Sequence, residues 1–156
     1  MRILRSALLV TALNIALVGC AMFGKNMTET EIQTYGTYTS NAPKAKIYDA
    51  AINALKSQGY EIAVENPESG VIKTGRKPIR AQAVSSGAGS ATAVMYFRQY
   101  LLRIREVDGG KVTVTAVPRV FQGEMDLSDR AVWDLEGPIG ERALWNNLFR
   151  EIDEAL

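Results

Sequence analysis

Two long alternating runs, Val94–Val107 and Lys111–Phe121, joined by Asp108-Gly109-Gly110, constrain the fold of this chain more than any other feature. Large apolar residues recur at every second position, the period of a strand with one buried face. A three-residue connection sets Val107 against Lys111, and therefore Ile104 against Val114, Leu102 against Ala116 and Tyr100 against Pro118. A two-residue connection would set Ile104 against Thr113 and spoil that apolar face, because a one-residue slip turns every side chain over. A three-residue turn with a glycine bulge satisfies the pattern. The chain is thus expected to be organised around one long antiparallel hairpin.

The same register places Arg105 by Thr113, Arg103 by Thr115, Leu101 by Val117 and Phe97 by Phe121 on the second face. Arg98, Arg103, Arg105 and Arg119 admit two readings, an anion-binding patch or a solvated sheet face. Their spread over two strands beside Glu106 and Asp108 favours the solvated face.

Two amphipathic helices flank the hairpin in sequence. Ser40 or Asn41 suits an N-cap and Pro43 a first turn, after which Ile47, Ala51, Ala54, Leu55 and Gln58 trace one face. Gly59 is placed to close this helix in a left-handed conformation. Tyr60, Ile62 and Val64 then alternate inward, Asn66 to Gly70 forms a turn, and Val71 to Arg76 returns as a partner strand. From Gly137-Pro138 a last helix carries Leu144, Trp145, Leu148, Phe149 and Ile152 on one side. Glu141, Arg142, Asn146, Arg150 and Asp153 fall on the other. Ile32 to Tyr38 is β-favouring and reads as a first, edge strand. The fold class is α+β: a two-layer domain with an antiparallel sheet of four to five strands and both helices on one face.

Two segments lack such a pattern. Residues 78–92 (PIRAQAVSSGAGSAT) are small and polar, the composition of a mobile loop. Ser85-Ser86-Gly87 could be read as a catalytic serine loop and Gly87-Ala88-Gly89 as a phosphate cradle, but neither has the strand–turn–helix setting those sites need. Residues 122–136 mix five acids with Met125, Leu127, Val132, Trp133 and Leu135. Met125, Leu127 and Trp133 are candidate partner-binding residues, since tryptophan is enriched at interface hot spots. The alternative, which is favoured, packs Trp133 onto the core.

Composition excludes much chemistry. The chain has 156 residues with no histidine and one cysteine, so no imidazole base, no Ser-His or Cys-His pair and no histidine metal site can form. No calcium-loop motif is present, and no metal, cofactor or catalytic residue is expected. Lys and Arg total 18 against 17 acids, without a basic run, so nucleic acid is not an expected partner.

The N-terminus is more explicit. Arg2 and Arg5 precede an apolar stretch from Ala7 to Val18, and Leu17-Val18-Gly19-Cys20 follows with the single cysteine. This is the layout of a secretory leader. Its end resembles the bacterial lipobox, which implies diacylation of the Cys20 thiol and cleavage between Gly19 and Cys20. One buried acyl chain binds a membrane marginally, whereas two or three anchor stably. Residues 1–19 would be the leader, 20–31 a lipidated cysteine with a tether, and 32–156 one periplasmic domain. The tether would reach roughly 35–40 Å when extended. Ala21 rather than aspartate follows the cysteine, which in the lipobox family implies the outer membrane.

The run Ile47-Tyr48-Asp49-Ala50-Ala51-Ile52-Asn53-Ala54-Leu55, then Gly59-Tyr60-Glu61-Ile62 and Gly70-Val71-Ile72-Lys73-Thr74, resembles the helix-grip domains of BamC-like envelope lipoproteins. The resemblance spans residues 44–76 and implies a long helix across the sheet and an envelope protein partner. The expected function is a membrane-anchored, non-catalytic binding or assembly module. The alternative is a carrier of a small apolar or lipid ligand between helix and sheet, lined by Tyr96, Phe97, Tyr100, Trp133 and Trp145.

Overall fold

The computed structural model describes residues 25–85, 91–130, 132–136 and 140–156. The elements run α1 (Glu29–Tyr35), β1 (Thr37–Ser40), α2 (Lys44–Ser57), β2 (Ile62–Asn66), β3 (Val71–Thr74) and β4 (Lys77–Ser85). They continue with β5 (Ala91–Val107), a 3-10 turn (Asp108–Gly110), β6 (Lys111–Gln122), β7 (Met125–Asp126) and α3 (Glu141–Glu154). The fold is α+β, with seven antiparallel strands in one sheet.

The central hairpin has the register its alternation predicts. Val107 pairs with Lys111, Ile104 with Val114, Leu102 with Ala116, Tyr100 with Pro118 and Phe97 with Phe121. The turn is closed by Gly109 and Gly110 at φ +81° and +72°, angles open to glycine and strained for other residues. The main path across the sheet is β1-β6-β5-β3-β2. β5 is long enough for two neighbours on one side, with β3 on Leu101–Arg103 and β4 on Ala91–Arg98.

Alternation decides the core. Tyr100, Leu102 and Ile104 of β5 join Val112, Val114 and Ala116 of β6 in one buried cluster with Ile47, Leu55, Trp145, Leu148 and Ile152 from α2 and α3. Each fully buried large apolar side chain contributes roughly 1.5–3 kcal/mol, so this cluster dominates stability. Trp145 Nε1 donates to the Ala116 carbonyl at 3.0 Å, which satisfies its one polar atom inside the core. α2 ends in a Schellman motif: Gly59 (φ +76°) donates to the Lys56 carbonyl and Tyr60 to that of Leu55.

Several expectations are corrected. Residues 29–35 form a helix, not the start of a strand, and the edge strand begins only at Thr37. Thr28 and Glu31 make a capping box, a local bond pair that outweighs the β-favouring composition of Ile32 to Tyr35. Within the stretch 20–31, Lys25 forms a backbone bridge with Trp133 and α1 begins at Glu29.

Within 78–92, residues 78–85 belong to β4 and 91–92 to β5, not to a loop. Cross-strand bonding to β5 supplies what small side chains do not. Ser86 and Gly87-Ala88-Gly89 lie outside the described residues. β4 and β7 bring the strand count to seven, above the expected four to five.

Val64 is 47% exposed, not inward. A bulge between Ile62 and Val64 reverses the facing beyond it, so Val64 pairs with Lys73 while Ile62 pairs with Thr74. Pro43, not Ser40 or Asn41, is the N-cap of α2, with its carbonyl accepting from Ile47. α3 starts at Glu141 after Gly140, and Gly137-Pro138 lies outside the described residues.

Candidate functional site

Position 98 shares the β5 face of Tyr100, Leu102 and Ile104, so its arginine is carried to the core side of the sheet. On α3, Glu141 stands four residues before Trp145 and seven before Leu148, on the buried stripe. The two meet: Arg98 Nη2 lies 2.9 Å from Glu141 Oε2, with Glu141 fully buried. Tyr100 donates its hydroxyl to Glu141 Oε1. The Tyr60 ring packs edge-on against Tyr100 at 5.4 Å, and Lys77 Nζ lies 4.9 Å over the Tyr60 ring.

The charges in this cluster are unequally matched. Burial pushes the Glu141 carboxyl up, and the opposing pull of Arg98 and Tyr100 does not fully offset it. Burial works against the charge on Arg98, yet Glu141, Tyr100 and Tyr60 outweigh it and hold the guanidinium above its ordinary value. The Tyr60 hydroxyl is pushed up to about 12, chiefly by burial. Glu141 Oε2 is within ion-pair distance of Arg98 but outside hydrogen-bond geometry, and Arg98 Nε has no partner among the described residues. The arrangement is a buried ion pair with spare bonding capacity.

A cleft of about 350 Å³ opens beside it. Lys77 and Arg80 from β4 and Arg98 from β5 supply its cations. Val120 from β6, Trp133 and Leu144 from α3 supply apolar wall, and Asp134 the single carboxylate. Trp133 is 3% exposed, its Nε1 donating to the Ser128 carbonyl at 3.1 Å. Lys77 Nζ donates to the Gln58 carbonyl at 2.5 Å, and the Arg80 guanidinium stacks 4.6 Å over Tyr96.

The residues singled out from sequence are dispersed. Cys20 and Gly19 lie outside the described residues. Met125 is 53% exposed, whereas Leu127 and Trp133 are buried, so the three do not share an accessible surface. Of the four arginines, Arg103 and Arg105 are exposed, Arg119 pairs with Asp126, and Arg98 alone reaches the buried cluster. Tyr100 and Trp145, expected to line a ligand cavity, are fully buried core residues. Glu141, assigned from sequence to the polar side of its helix, is inside. Two signals pointed to the cluster: the even parity of Arg98 with Tyr100, and the helical spacing of Glu141 with Trp145 and Leu148.

Among the described residues no group of three or more acidic or cysteine side chains is placed to hold a metal. Among them, too, no helix is long and apolar enough to cross a membrane. No family model matches the chain, and no curated protein sequence matches it. Among solved structures, the crystal structure of a DUF4468 family protein from Bacteroides ovatus is similar over 76% of this chain and 78% of its own, at 16% identity and a TM-score of 0.35.

Proposed function

We propose that this protein is a bacterial envelope lipoprotein, anchored by acyl chains on Cys20 at the outer membrane, whose periplasmic domain is a non-catalytic binding or assembly module. The observation that carries the reading is the sequence Leu17-Val18-Gly19-Cys20 behind a basic and then apolar stretch, and the early docking of the chain fixes what such an anchor would imply. Lys25 and Trp133 exchange backbone hydrogen bonds at 3.0 and 3.1 Å, only five residues beyond the lipobox cysteine. A fully extended path from Cys20 to Lys25 spans at most about 17–18 Å. The domain would ride close to the bilayer, with Trp133 on the membrane-proximal side. The proposed domain is two-layered and helix-grip-like, with α2 and α3 covering one face of the sheet. The shared core of α2, α3, β5 and β6 supports it.

A second reading, a carrier of a small apolar or lipid ligand, is favoured by the cleft between α3 and the sheet. The anchoring claim is tested by envelope fractionation with radiolabelled palmitate. Wild-type protein should carry label and sediment with outer membrane, and Cys20→Ala should lose both. A wild-type protein in the soluble fraction, or Cys20→Ala unchanged at the membrane, would refute it.

A further inference from the structure

The cleft has walls of two kinds that one simple ligand class satisfies together. Lys77, Arg80 and Arg98 oppose a single lining carboxylate, Asp134. Glu141 answers Arg98 from behind, while Lys77 and Arg80 have no carboxylate partner among the described residues. Val120, Trp133 and Leu144 line the same cleft. A bare inorganic anion would leave that apolar wall wet, and a plain hydrocarbon would strip water from the cations without replacing it. Small-molecule sites of this size pair apolar walls with a few placed polar groups.

We infer that the cleft binds an amphipathic anion, a carboxylate or phosphate monoester head on a short apolar body. The head lies against Arg80, Lys77 and Arg98, and the body against Trp133, Val120 and Leu144. The inference deepens the carrier reading above and does not require acyl chains on Cys20.

The test is calorimetric titration of the full chain, held in phosphatidylcholine nanodiscs, with hexyl phosphate, hexanol and inorganic phosphate. Hexyl phosphate should bind saturably, and at least about tenfold tighter than either fragment. Arg80→Glu, at an exposed position, should weaken hexyl phosphate by about tenfold or more with an unchanged melting temperature. Leu144→Trp should abolish binding by filling the cleft. If Leu144→Trp fails to fold, Arg80→Glu alone decides. Hexanol or phosphate binding as well as hexyl phosphate, no binding of any of them, or an indifferent Arg80→Glu would overturn the inference. Phosphatidic acid in the disc distinguishes the source: competition with hexyl phosphate identifies a membrane lipid headgroup, and its absence a free ligand. Repeating the titration on Cys20→Ala separates the claims, because lost anchoring with retained binding refutes neither the cleft nor its chemistry.

Discussion

Glu141 is the residue whose environment most departs from the ordinary. Its carboxyl is raised from 4.5 by burial, so the folded state holds the proton more firmly than the unfolded chain does. The associated stability is fully present below pH 4.5 and declines as pH rises from there through the raised value. Urea denaturation at a series of pH values should show this decline in the wild type and its loss in Glu141→Gln. Because Glu141→Gln also leaves Arg98 buried without its countercharge, it should cost about 3–5 kcal/mol at neutral pH. Tyr100→Phe removes the one hydroxyl donated to Glu141 Oε1 and should cost about 1–3 kcal/mol. It should also move the decline to higher pH, since that bond is one of the influences lowering the carboxyl. A flat profile in both proteins would show that Glu141 does not titrate in this way. Gly70 is a second demanding position: at φ +68° an added Cβ would fall 2.0 Å from the Ile104 carbonyl oxygen. Gly70→Ala should therefore cost more than the roughly 1–2 kcal/mol of the left-handed conformation alone, measured by thermal melting.

At the scale of elements, the two corrected segments have opposite physical origins. α1 was legible, since Thr28 and Glu31 spell a capping box, but the β-branched and aromatic residues after it pointed the other way. Thr28→Ala should destabilise the protein by about 0.5–2 kcal/mol in chemical denaturation, with the loss confined to α1 amides in hydrogen exchange. Loss of protection spread evenly over the sheet would place the cap outside that role. β4 was not legible. Ala81, Ala83 and Ser85 have poor strand propensity, and what holds them is a backbone ladder to Ala91, Ala93 and Met95, in which small side chains leave no apolar alternation to read. Residues 91–94 pair in the sheet with β4 alone, whereas Leu101–Arg103 lie between β3 and β6. Amides in the first group should exchange far faster than those in the second, because local opening there disrupts little buried apolar surface. The central hairpin stands at the other extreme, its register readable because any slip would expose an entire apolar face.

At the scale of the whole molecule, the proposed anchoring makes the distance between bilayer and domain the quantity to measure. In vesicles carrying dansyl headgroups, energy transfer from Trp133 and Trp145 should be strong, and a Gly/Ser linker inserted after Ala21 should reduce it. Unchanged transfer would mean the domain does not ride near the bilayer as proposed. The position of Trp133 is also where sequence and structure divide most clearly. Its segment, 122–136, has no usable period, so neither its docking to Lys25 nor its place in the cleft wall could be read locally. Sequence by itself determined what periodicity and local bonding encode: the hairpin register, the two amphipathic helices and the left-handed glycine end of α2. Tertiary structure alone decided which distant side chains meet. Arg98 and Glu141 are 43 positions apart, and a buried ion pair exists only once a strand and a helix have packed. The cleft has the same origin, since its cations and its apolar wall come from strands, a loop and a helix that no single stretch of chain contains.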